Sequence, residues 1–284
     1  MLKKIIYIFL AFILTIIAVG AYVFFDNSDV RLTSYGVYSK KLNAAFDGYK
    51  IAVISDFHNS DNYGKIINVI AGSKPNIIVF VGDTISMNDE NYDNVGYLLD
   101  GLNTVCKSYL ISGNNETWSK NEADFLEFVK GKNVEVINNQ VIPIEHKGNY
   151  FNLIGYKDIV YSDDVMRFEV LEKELDSLYA KVKNKSLYNV LLFHRGNLFD
   201  TVAKKPFDLV LAGHTHGGQI NLPFIKDKIL MKEVLNTKYS KGYYRVKDCQ
   251  MILSGGLEKN FKRIEALRVF NTPEVIEVTL KTIR

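Results

Sequence analysis

Cysteine is scarce in this chain of 284 residues: there are two, Cys106 and Cys249, far apart in sequence. No C-x-x-C pair exists, which excludes thiolate zinc sites. One disulfide is open to a protein outside the cytoplasm, but Cys106 falls in an apolar stretch, where a free thiol packs as a small hydrophobe. A dense basic stretch interleaved with aromatics is missing as well, and the formal net charge is only +3. No obligate nucleic-acid partner is indicated. Beyond residue 34 there is no second linker, internal repeat or low-complexity tract, so one compact domain is expected over 35–284.

What is present begins at the N-terminus. Met1-Leu2-Lys3-Lys4 precedes an uncharged apolar run from Ile5 to Phe25, which as a helix is about 31 Å long and spans a bilayer core. Lysines before the run and Asp26 after it favour a cytoplasmic N-terminus and an extracytoplasmic remainder. A signal peptide cleaved near Val19-Gly20-Ala21 is the alternative. Tyr22-Val23-Phe24-Phe25 continue the apolar run past that point, which favours a retained anchor over residues 1–26. Residues 27–34, opened by Asp26, read as a polar linker.

Strand-like runs follow at Lys50 to Ser55, Asn76 to Val81, Lys107 to Ser112, Tyr150 to Gly155, Asn189 to Phe193 and Asp208 to Ala212. Most are apolar at both alternating positions, the pattern of α/β sheets covered by helices on both faces. Asp163 to Lys183 carries apolar residues at three- and four-residue spacing behind a candidate N-cap, Ser162. Tyr63 to Ala71 and Asn121 to Val129 read as weaker helices. From Tyr243 onward the runs are short and β-like, predicting a mostly β C-terminal half of the core.

Histidine is rare too, at five. Two of these residues lie in Gly213-His214-Thr215-His216-Gly217-Gly218-Gln219, just after an apolar strand, where glycine allows crowding around a small object. Imidazole is the commonest ligand for divalent first-row metals. Other strand ends carry ligand types as well: Asp56 and His58 in Ser55-Asp56-Phe57-His58, Asp83 after Gly82, Asn114 in Gly113-Asn114-Asn115-Glu116, and His194 in Phe193-His194-Arg195. Any one of these alone is more often a turn or a structural residue. Together they bring four histidines to the sheet edge where α/β proteins place ligands. His146, in a polar turn, reads as solvated.

This ordered pattern, D-x-H, G-D, G-N-x-[DE], H and G-H-x-H, resembles the calcineurin-like metallophosphoesterase superfamily, and within it the membrane-associated bacterial YaeI/YkuE-like phosphodiesterase branch. The narrower likeness rests on Tyr49 to His58, Gly213 to Pro223, and Ser254 to Leu257 with Arg268 to Glu274, and covers roughly residues 35 to 282. It implies a sandwich of two β-sheets flanked by helices. It also implies one metal held by Asp56, His58 and His216, another by Asn114, His194 and His214, and Asp83 bridging them. Such a donor set suits Mn, Fe or Zn, with Mn the first choice, better than Ca or Mg.

The function implied is a dinuclear-metal phosphodiesterase, acting by metal-activated water on a cell-envelope or lipid-linked phosphoester. A phosphomonoesterase or nucleotide hydrolase on the same site, or a metal-binding envelope protein with a decayed site, are the alternatives. The family motif usually has histidine after the metal-binding asparagine, where it serves as acid for the leaving group. Here that residue is Asn115, whose amide donates hydrogen bonds but delivers no proton near pH 7. Glu116 is the nearest replacement acid by proximity. Arg195, beside a ligand, is open to a bidentate phosphate contact or a surface salt bridge.

Overall fold

A computed structural model describes residues 2–159, 164–221, 238–259 and 268–283. Ser162 and the Leu222-Pro223 end of the histidine motif lie outside them.

The apolar N-terminal run forms helix α1, Leu2–Ser28, about 40 Å long. Among the described residues it is the one helix long and apolar enough to cross a membrane, and its apolar window is not buried in the domain. Strand β1, Arg31–Ser39, opens almost at once. The stretch 27–34 is therefore divided between α1 and β1 and is not a linker. Its polar side chains are those of an edge strand, since β1 has Val37 as its one buried residue.

The remaining strands are β2 (Lys50–Ile54), β3 (Ile77–Phe80), β4 (Ser108–Leu110), β5 (Val134–Val136), β6 (Gln140–His146), β7 (Asn149–Gly155), β8 (Asn189–Arg195), β9 (Leu209–Gly213), β10 (Gly242–Val246), β11 (Cys249–Leu253) and β12 (Glu274–Thr282). They make two sheets, ordered β1-β12-β2-β3-β4-β5 and β10-β11-β9-β8-β7-β6. In the first, β2 to β5 run parallel to one another. In the second, β7, β8, β9 and β11 are parallel. The expected mostly β C-terminal half is thus shared between the sheets: β10 and β11 extend the second, while β12 inserts into the first between β1 and β2.

The two sheets pack face to face through Val37, Ile51, Val53 and Val79 on one side and Leu153, Val190, Leu192 and Leu211 on the other. The outer face of the first sheet is covered by α2 (Tyr63–Ser73), α3 (Asp93–Asn103) and α5 (Glu122–Gly131), with Ile66, Leu99 and Phe125 meeting Ile54, Ile78 and Phe80. That of the second is covered by α6 (Asp164–Ala180) and α7 (Phe199–Val202), through Leu171, Leu175 and Phe199. This is why β3 and β9 are unbroken apolar runs, and why β2 and β8 are apolar at their centres: both faces are buried. Cys106 lies in the first outer layer and Cys249 in the second, both as free thiols. His146 is half-buried rather than solvated, its ring 5.1 Å from that of Tyr49.

Candidate metal centre

The parallel strands of both sheets end along one shared edge, and the candidate ligands leave from there. Asp56 and His58 follow β2, Asp83 follows β3, and Asn114 opens the short helix α4 (Asn114–Trp118) after β4. From the second sheet, His194 lies near the end of β8, and His214 and His216 follow β9. Between Leu192 and Arg195 the pairing of β8 with β9 shifts register. Such a bulge breaks the strict alternation of side chains and re-aims one of them at a functional edge.

Five of these residues have left-handed backbones: Asp56 (φ 50°), His58 (48°), Asp83 (53°), His214 (79°) and His216 (47°). For residues with a Cβ this region is sparsely populated and costs about 1–3 kcal/mol each, a cost met at functional sites. Hydrogen bonds across the edge hold it, with Asp56 N–H donating to Gly82 O (3.1 Å) and His58 N–H to Asp83 O (3.1 Å). Gly82 is required twice over: its φ is +97°, and a Cβ there would lie 2.6 Å from Gly113 Cα and 2.7 Å from His194 Nδ1.

The side chains converge as two groups of donors, Asp56 with His58 and His216, and Asp83 with His194 and His214. Within each group the ligand atoms lie within 4.8 Å of one another. Asn114 joins the second, its Oδ1 3.1 Å from His194 Nε2. Asp83 lies between the groups, its Oδ2 3.3 Å from His194 Nε2 and 3.8 Å from His58 Nε2. His194 Nδ1 is 2.9 Å from the Val81 carbonyl, which fixes the proton there and leaves Nε2 to face the acids. Buried His58 Nε2, which faces the donor group, has no hydrogen-bond partner. A divalent cation fits such an orphaned donor and the surrounding mixed imidazole, carboxylate and amide set.

Electrostatics prepare the same groups. Burial works against the Asp83 charge, but His194 in hydrogen-bond range, aided by His58 and the Asn115 N–H, holds its carboxyl well below the usual range. Burial likewise opposes a charge on His194, yet Asp83, with Asp56 and Asp158, carries its pKa up to about 10. Burial lowers His216 to about 3 and His214 well below its ordinary value, the latter with help from His194 and Arg195. At neutral pH these two are neutral imidazoles with a lone pair to offer.

The other three sequence candidates take different places from those expected. Asn115 N–H donates to Asp83 Oδ1 (2.8 Å) and its side-chain amide to Asp83 Oδ2 (2.6 Å), while its Oδ1 accepts from Met87 N–H. It clamps the shared carboxylate. Glu116 is fully buried, and both carboxylate oxygens are filled by backbone N–H groups, Oε2 by Asp83 and Gly113, Oε1 by Thr84 and Ile85. That is a loop-holding arrangement, and burial with the neighbouring Asp83 pushes its pKa up to about 7. Arg195 is no surface salt bridge: it is 8% exposed, its Nε donates to Asp158 Oδ1 at 3.0 Å, and its Nη1 lies 3.4 Å from His214 Nε2.

Sequence reasoning missed Asp158, Glu258 and Arg268. Asp158 lies three residues past the end of β7, so the same strand-end signal could have found it. Glu258 Oε2 is 3.4 Å from His216 Nδ1, on the far side of that ring from Asp56. Arg268, 1% exposed, donates from Nη1 to His216 O (3.3 Å) and Gly255 O.

The calcineurin-like phosphoesterase family matches residues 49–218, which include every candidate ligand. The chain belongs to this family, and so is a metal-dependent phosphoester hydrolase whose donor groups suit a dinuclear divalent site. The uncharacterized metallophosphoesterase YkuE of Bacillus subtilis is 27% identical over 262 residues, covering 89% of this chain and 86% of YkuE. Phosphodiesterase YaeI of Escherichia coli is 25% identical over 185 residues, 62% of this chain and 64% of YaeI. The chain is also similar to a dimetal phosphatase structure from Danio rerio, at 9% identity and a TM-score of 0.45, covering 75% of this chain and 89% of that one.

Proposed function

We propose that the protein is a membrane-anchored phosphodiesterase in which Asp56, His58 and His216 hold one divalent cation, Asn114, His194 and His214 a second, and Asp83 both. The observation that carries this is the convergence of the two donor groups on either side of Asp83. When bound, two such cations acidify a water and neutralise charge on a phosphoryl group. Manganese is the first choice of ion. The chain's own residues fix the donors: Val81 O orients His194, Asn115 clamps Asp83, and Ser55 Oγ donates to Asp56 Oδ2 at 2.5 Å.

No side chain named here is placed to protonate a leaving group, since Asn115 carries an amide and the Glu116 carboxylate faces inward. The substrate is accordingly a phosphoester whose leaving group departs readily as an anion. Preference for a diester is supported by the likeness to a protein named as a phosphodiesterase. A lipid-linked or envelope substrate is supported by α1, which places the domain outside the cytoplasmic membrane if the flanking charges set its direction.

The test is hydrolysis of bis(p-nitrophenyl) phosphate against p-nitrophenyl phosphate by the full chain in detergent with Mn²⁺. Faster turnover of the diester is expected, and Asp83→Asn should abolish both. Metal-dependent turnover no greater than that of Asp83→Asn would overturn the enzymatic reading, and a faster monoester would make it a phosphomonoesterase.

A further inference from the structure

The last turn of α1 is not a loose stalk. Asn27, 2% exposed, pairs with the backbone of Arg268 in both directions: Arg268 N–H donates to Asn27 Oδ1 (2.9 Å) and Asn27 Nδ2 donates to Arg268 O (2.6 Å). Its Nδ2 also donates to Val23 O inside the helix, at 2.7 Å. A side-chain amide here does what a neighbouring strand does, satisfying a buried backbone N–H and C=O 241 residues away in sequence. Tyr22 packs against Phe270 with ring centroids 5.0 Å apart and planes tilted by 37°, and Thr272 Oγ1 donates to Asp26 Oδ1.

The segment gripped in this way is what holds the His216 loop. Val269 N–H donates to Gln219 O and Asn221 N–H to Val269 O, each at 2.9 Å. Arg268 Nη1 and Asn271 Nδ2 both donate to the His216 carbonyl, at 3.3 and 2.7 Å. Arg268 Nε donates to the carbonyl of Glu258, whose carboxylate faces the His216 ring. His216 has a left-handed backbone (φ 47°), a conformation that persists only where its surroundings over-determine it. His216 is thereby tied to α1 through Arg268.

We propose that Asn27 is a positioning residue for His216, acting through Arg268, so that the apolar N-terminal helix both anchors the protein and sets one of its two cation sites. The inference rests on the metal-centre reading given above. Groups surrounding a ligand typically change metal affinity by about 10- to 100-fold when removed. Asn27→Ala should therefore weaken the cation held by Asp56, His58 and His216 by about 10-fold and leave the one held by Asn114, His194 and His214 within about two-fold.

The experiment titrates Mn²⁺ into the full chain in detergent micelles by calorimetry, with electron paramagnetic resonance distinguishing a coupled ion pair from a single ion. Asn27→Ala should yield a single-ion signal over a range of Mn²⁺ where wild type already shows the pair. Asn27→Asp keeps the acceptor for Arg268 N–H and loses the donor. It should fall between the two, and it is the variant to read if Asn27→Ala does not fold. Thr272→Val, which removes the Asp26 contact of the same segment and keeps the Asn27–Arg268 bonds, should bind both ions as wild type does.

Equal weakening of both ions by Asn27→Ala, no weakening of either, or an equal effect of Thr272→Val would overturn the inference. Failure of wild type to bind two ions would instead refute the metal-centre reading and remove the basis of this one.

Discussion

Replacing Glu116 by glutamine separates its two possible jobs. In the structure its carboxylate accepts four backbone N–H groups, two on each oxygen. Burial raises its pKa to about 7, so the comparison is made at pH 9, where it is ionised; an amide in the same place must turn its NH₂ toward one pair, so two charge-assisted bonds are lost and donors face donors. At about 1.5–3 kcal/mol for each bond to a charged group, the expected destabilisation is roughly 3–6 kcal/mol. That is a large share of the roughly 5–15 kcal/mol that holds a typical protein folded. For a domain of this size it lowers the thermal midpoint by about 6 °C or more. The assay is urea and thermal unfolding of Glu116→Gln beside wild type, each without added metal, together with diester hydrolysis at saturating Mn²⁺. A general acid would behave in the opposite way, with stability changed by less than about 1 kcal/mol, kcat lowered 10²- to 10⁴-fold, and the acid limb of the pH profile gone. That pattern would refute the loop-holding role.

Other perturbations test the neighbouring statements. Asn115→His should raise hydrolysis of diesters with alkoxide leaving groups by more than that of p-nitrophenyl diesters, because only the former need a proton; equal changes on both panels would show that the missing acid is not what limits the rate. Gly82→Ala combines a left-handed φ with contacts at 2.6 and 2.7 Å, and should cost about 2–5 kcal/mol of unfolding free energy measured in urea; a neutral outcome would contradict the close approach of β3 and β4 at this edge. His194 carries a proton below about pH 10 when the acids around it are without a cation. Metal binding must displace that proton, so Mn²⁺ affinity should rise with pH through the neutral range and about one proton should be released per protein. Calorimetry at pH 7 in buffers of different ionisation heat reads the release directly, and heats independent of buffer would exclude it.

Much of the site was legible because it is built from strand ends. Strands such as β3 and β9, buried on both faces, read as unbroken apolar runs, so Asp83 and His214 stand out where the runs stop. What was not legible depends on partners remote in sequence. β1 has one buried residue and owes its existence to parallel pairing with β12. β5 has three residues, too few to show a period. Arg195 and Glu116 were found by position, but their work is set by Asp158 and by the N–H groups of the loop after β3. The reciprocal bonding of Asn27 with Arg268 leaves no local trace at all, since an asparagine just after the apolar run reads as part of a polar linker.

The edge where the strands end is also a seam. Asp56, His58, Asp83 and Asn114 belong to one sheet and His194, His214 and His216 to the other, and each donor group takes members from both. In a chain whose two cysteines are both free thiols, each cation would act as a stitch across the sandwich, joining segments that are distant along the polypeptide. A chelator would then do more than stop turnover. It would let the two layers part at one end, and amide exchange should quicken together in the strand ends of both sheets while the opposite ends of the same strands stay protected.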